Sequence, residues 1–201
     1  MKMEDKRMRV KIFLVIFFFW VILNAKISPE SANLEELRMK VEKCPTETNM
    51  CSYLNSFPSS FKKFKFIFYG QKDVFDELYD KHEEHLNLLW NLSKKYPKKV
   101  LAIWLSIAKD VDEDGYADAI GILQLQLARY GSENPKQFSE ALKKENKKDL
   151  LSIIRFMADM ENHQQYHDYI KLLEKLKELN FVDLYNMFYE ARKERMKYHH
   201  D

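Results

Sequence analysis

From Leu34 to the C-terminus, apolar residues recur at three- and four-residue intervals in almost every segment. That is the period of a helix with one buried face. A short first helix carries Leu34, Leu37 and Val41. A second opens near Pro58 with Phe61, Phe64, Ile67 and Phe68, and Gly70 ends it. Asp73 is placed to cap a third, whose stripe runs through Leu78, His82, Leu86 and Leu89. Val100, Leu101, Trp104 and Leu105 follow Pro97, and Ile120, Leu123, Leu127 and Tyr130 form the next stripe, closed by Gly131. A short helix then follows Pro135, with Phe138 and Leu142, before stretches over 150–160, 166–179 and 181–198. No segment alternates as a half-buried strand does.

Turn residues are scarce enough to narrow the fold class further. The 201 residues include only 4 glycines and 5 prolines, whereas a sandwich or barrel needs a turn about every 8–12 residues. No glycine-rich phosphate loop is present. At 46% apolar residues the chain is too hydrophobic to stay unfolded. Pro58, Pro97 and Pro135 each precede an apolar residue by three positions, at spacings of 39 and 38. Proline suits a first helical turn, where its missing N–H has no partner to lose. A period near 40 points to stacked hairpins of the HEAT or tetratricopeptide kind. Prolines that merely start helices point to an irregular bundle. The expected fold is all-α, either an irregular helical bundle or a short stack of helix hairpins.

The N-terminus reads as an export signal. Lys2, Lys6, Arg7, Arg9 and Lys11 precede an unbroken apolar run from Ile12 to Leu23, which suits a signal core and is short for a membrane span. Ala25 offers a small residue for cleavage, and retention as an anchor is the alternative. The organisation expected is therefore a signal over 1–25, a short helix with a cysteine loop over 26–55, and a helical domain over 56–198. Without residues 1–25 the charges are 28 basic and 29 acidic, so the basic balance belongs to the signal. Nothing remains to attract phosphates, which argues against nucleic acid as a partner. Membrane contact is expected only through an uncleaved signal.

Cys44 and Cys51 bracket a six-residue segment. In an exported protein a close, even pair reads as one disulfide. Periplasmic or secreted localisation follows from the same signal.

Asp110, Asp112, Asp114 and Asp118 alternate around Gly115 as in the first nine places of a calcium loop. Gly121 stands where the bidentate glutamate belongs, so calcium here is expected to be weakly held. The competing reading is an acidic connector whose Asp118 caps the next helix. His82 with His85, and His163 with His167, have one-face helical spacing. His82 lies on an apolar stripe, which argues for a core histidine and against zinc. No nucleophile elbow occurs. Glu35-Glu36 and Glu83-Glu84 are adjacent pairs, expected on solvated faces. Gln124 falls inside an apolar stripe and so needs buried partners. The Tyr- and Met-rich end, with Tyr185, Met187, Phe188, Tyr189 and Met196, reads mainly as core, although an adaptable Met surface can bind partners.

Two phrases, Ser56-Phe57-Pro58-x-x-Phe61-x-x-Phe64 and Asp118-Ala119-x-Gly121-x-x-Gln124, resemble those of small exported all-helical bacterial proteins with no assigned activity. The resemblance extends over about residues 44–190 and implies no functional residues. With no catalytic motif and a near-neutral mature charge, the expected function is protein binding without catalysis, of an immunity or adaptor type. The alternative is an envelope enzyme, a hydrolase with a site near Asp118 and Gln124.

Overall fold

A computed structural model describes residues 28–68, 78–111, 118–159 and 163–198. The export signal, the Gly70 stop, the Asp73 cap, Asp112, Asp114 and the final histidines lie outside them. The described residues are all-α, with no strand among them. In chain order the helices are α1 (Pro29–Lys43), α2 (Glu47–Ser56), α3 (Phe61–Phe68), a 3-10 turn (Tyr79–Lys81), α4 (His82–Ser93) and α5 (Pro97–Ala108). Then come α6 (Asp118–Glu133), α7 (Pro135–Leu142), α8 (Lys147–Ala158), α9 (His163–Glu178) and α10 (Val182–Tyr198). Among them, no helix is long and apolar enough to cross a membrane.

Local chemistry explains most helix starts. Ser28, Thr46 and Asn146 cap α1, α2 and α8, each side chain accepting a bond from an N–H in the first turn. Pro97 and Pro135 open α5 and α7 as expected. Pro58 does not open a helix. Ser60 takes that role at α3, its hydroxyl accepting from the Lys63 N–H at 3.3 Å, and Pro58 only directs the approach.

The expected disulfide is a correction. Cys44 and Cys51 are both free, and the segment between them is no loose loop. Cys44 caps the end of α1, its N–H donating to the Lys40 carbonyl. Its own carbonyl accepts from the Thr46 N–H and from Asn49 Nδ2, both at 2.8 Å. Glu47 already begins α2, so Cys51 sits in that helix's second turn. Capping geometry, not a covalent bridge, makes this corner.

Packing centres on α6, which touches α4, α5, α7, α8 and α9, with its longest contact against α9. A hairpin stack would confine each unit to its neighbours. Here α6 skips to α9 and α5 reaches α8, so α4, α5, α7, α8 and α9 bundle around α6, with α10 against α8 and α9 and α1 against α2. Gly131 does not close that helix, which runs on to Glu133. A Cβ there would lie 3.1 Å from Leu172 and from the Phe138 ring, so glycine serves close approach of α9 and α7. One apolar cluster runs from Leu34 to Phe188. In it, fully buried Trp104 stacks on Trp90 at 6.0 Å and receives the edge of Tyr130 at 5.5 Å.

Candidate functional site

Three places combine polar or exposed groups in ways the core does not require. The first is a buried charged network between α1, α2 and α4. Glu35, Arg38 and Glu42 fall on one face of α1, spaced by three and four. Arg38 grips the Glu35 carboxylate with two bonds, Nε at 2.7 Å and Nη2 at 2.9 Å, and gives Nη1 to Glu42 at 2.6 Å. Lys81 Nζ reaches the same Glu35 carboxylate at 2.6 Å, and His85 Nε2 reaches it at 3.0 Å. Tyr53 stacks its ring beside His85 at 5.9 Å, and the edge of Phe68 closes the other approach at 5.4 Å.

Charge states follow from these neighbours. The Arg38 fork, helped by Lys81 and opposed by burial, holds Glu35 down to about 2. The same carboxylate raises Arg38. Burial lowers His85 to about 4, against the pull of Glu35, and raises Tyr53 far above its ordinary value. At neutral pH His85 is therefore neutral. Glu35 can only accept, so His85 Nε2 carries the proton and Nδ1 is an acceptor. The Tyr53 hydroxyl lies 3.1 Å from both Nδ1 and the His85 carbonyl, and its proton serves one or the other.

A carboxylate, an imidazole and a phenol in line have the composition of acid–base machinery. The environment makes them something else. Both His85 and Tyr53 are wholly buried, and every polar atom of the Glu35–His85–Tyr53 chain has a protein partner. Among the described residues, the His85 ring and the Tyr53 hydroxyl are closed off from solvent. The network ties α1 and α2 to α4, with only Lys81 and Glu42 half-exposed at its margin. Glu35 thereby departs from the solvated face expected for it, whereas its neighbour Glu36 does lie at the surface, paired with Lys40.

The second place is Gln124. It is buried as expected, and its Nε2 donates to the carbonyls of Phe156 at 2.8 Å and Asp159 at 2.7 Å. Those carbonyls end α8. Arg192 of α10 adds a bond to the Ala158 carbonyl at 2.9 Å, so α6 and α10 together satisfy a helix C-terminus. Both amide hydrogens of Gln124 are committed to this clamp. Gln124→Ala should cost about 2–3 kcal/mol, because buried carbonyls are left without donors. Chemical denaturation checks it, and an unchanged midpoint would show that solvent replaces the amide.

The remaining sequence candidates divide. Asp110 is exposed in the turn after α5, and Asp118 begins α6, while the acidic segment between them lies outside the described residues. His82 is buried and its Nδ1 donates to the Tyr79 carbonyl. His167 is exposed on α9, away from the role His85 plays in the buried network. Among the described residues, no three His, Cys, Asp or Glu side chains are grouped to hold a metal.

The third place is the outer face of α10. Phe188 and Leu184 bury as core, but Val182, Tyr189 and Met196 are 50%, 48% and 43% exposed. Half-buried Tyr185 stacks on Tyr189 with ring centres 6.0 Å apart. Arg192, on the same side, holds its guanidinium 5.3 Å over the ring of Tyr166 from α9, itself 39% exposed. The result is a ledge of tyrosine, arginine, methionine and valine, a composition enriched in protein interfaces. The expectation that this end is mainly core holds for Phe188, holds in part for half-buried Tyr185 and Met187, and fails for Tyr189 and Met196.

No protein-family model, curated protein or solved structure matches the chain.

Proposed function

We propose that this chain is an exported, non-catalytic protein-binding module, of the immunity or adaptor type, that engages its partner through α10. The observation carrying the reading is the row of exposed Val182, Tyr189 and Met196, set on a helix whose other face is anchored by Leu184 and Phe188. Anchored aromatic side chains bind at low entropic cost, since little freedom remains to be lost. Tyr185 and Arg192 restrain Tyr189 and Tyr166 in this way.

The enzyme alternative placed its site near Asp118 and Gln124. Gln124 supports it poorly, because its donors close the end of α8. The Glu35–His85 pair supports it poorly as well, because His85 is wholly buried and its two ring nitrogens are held by Glu35 and Tyr53.

A photo-reactive amino acid placed at Tyr189 tests the proposal in the native envelope fraction. The expected result is a discrete cross-linked protein band, absent when the same probe replaces exposed Lys136 on α7. Turnover of a small molecule that Gln124→Ala abolishes while the fold persists would overturn the binding reading.

A further inference from the structure

The charge pattern beside the α10 ledge identifies a partner. At 100° per residue, Val182, Tyr185, Tyr189, Arg192 and Met196 fall within an arc of ~80°. Val182 and Met196 each lie seven residues from Tyr189, the repeat that lets two helices share a seam. One flank of this arc carries the exposed residues Asp183, Glu190, Lys193 and Lys197. Along the helix their signs run acidic, acidic, basic, basic. Glu194, also exposed, lies about 20° beyond Asp183 at the far edge of this flank.

Such a flank is complementary to itself reversed. A two-fold axis through Tyr189, perpendicular to the helix, brings the same flank of two antiparallel copies together. Asp183 of one copy then meets Lys197 of the other, Glu190 and Lys193 stay paired within each helix at 3.7 Å, and Val182 of one copy meets Met196 of the second. Two-fold contacts of this isologous kind are the commonest in homo-oligomers.

We infer that α10 pairs antiparallel with α10 of a second copy of this chain, centred on Tyr189. This rests on the reading of α10 as a protein-binding face and names its occupant. The seam is about 25 Å long for 17 residues, and much of the flank is exposed charge. The dimer should therefore be reversible and weaken as salt screens its flank.

Thiol cross-linking of the full chain reads the register directly. With Cys44→Ser and Cys51→Ser as background, Tyr189→Cys should form a covalent dimer on oxidation. Val182→Cys alone should not, because its two copies would sit about 20 Å apart. An equal mixture of Val182→Cys and Met196→Cys should cross-link at least fivefold more than either alone. Asp183→Lys should reduce the Tyr189→Cys dimer severalfold, and adding Lys197→Glu should restore it. Circular dichroism confirms that these surface variants fold. Cross-linking of Val182→Cys to itself would overturn the antiparallel register. A Tyr189→Cys chain that stays monomeric on oxidation at 100 µM or so, well above a weak dimer's range, would overturn self-pairing. In that case a heterologous band from the Tyr189 photo-probe leaves the binding reading standing, whereas no band at all removes both.

Discussion

Replacing Glu35 by alanine should cost the fold about 3–5 kcal/mol, the usual penalty for leaving one member of a buried ion pair alone. Arg38 would keep its charge in a buried setting, with only Glu42 at the margin to answer it. Lys81 and His85 Nε2 would lose the acceptor that places them. Domains of this size are stable by about 5–15 kcal/mol in all, so the variant should sit near the edge of folding. Glu35→Gln keeps the shape and one acceptor oxygen and should fall between the two. Glu36→Ala, one residue away on the solvent side, should leave the denaturation midpoint unchanged. Urea unfolding of the three variants checks the contrast. Equal midpoints for Glu35→Ala and Glu36→Ala would mean that Arg38 turns out to water and that the network carries no stability.

Acid should destabilise the protein in two stages. His85 is held down to about 4 by burial, against an unfolded value near 6.5. As pH falls from 6.5 to 4 the unfolded chain takes up a proton that the folded chain refuses, so stability falls with it. The difference of about 2.5 units corresponds to roughly 3–4 kcal/mol at about 1.4 kcal/mol per unit. For a chain of this size that is about 6–12 °C in Tm. Glu35, held down to about 2 by Arg38, begins to contribute as pH drops below its ordinary 4.5. There the unfolded carboxylate protonates first, and stability falls again toward pH 2. The groups facing His85 are Glu35, Arg38 and Tyr53, with Glu84 on its own helix. Tm followed from pH 7 to 4 should show the first slope, and His85→Gln should flatten it. A slope that survives in His85→Gln would assign the acid sensitivity to other groups.

Much of the fold is legible in the sequence because the hydrophobic period is local. Leu86 and Leu89, or Trp104 and Leu105, disclose a helix and its buried side without reference to any other segment. Capping is equally local, and Thr46 ahead of Glu47 was a legible start for α2. A short cysteine spacing is compatible with both a bridge and a capped corner, and only the backbone path between the two residues separates them.

Site chemistry was less legible, because it depends on which distant segments meet. Glu35 and Glu36 are alike in sequence, but one turns toward Arg38, Lys81 and His85 and the other toward water. Fifty positions separate Glu35 from His85, and no periodicity carries information across that distance. Gln124 is the informative middle case. Its place in an apolar stripe announced a buried amide that needed partners, but not that the end of α8 would supply them.

The sequence alone determined an all-helical chain, the inward face of most of its helices and the need of Gln124 for partners, since each follows from spacing within a turn or two. Tertiary structure alone decided that α4, α5, α7, α8 and α9 gather around α6, that Glu35 and His85 meet in the interior, and that Tyr189 and Met196 stay outside. Those outcomes depend on how much of each helix its neighbours cover. Coverage is a property of the packed bundle: of Phe188 and Tyr189, adjacent aromatics on one helix, the first is buried and the second is half-exposed.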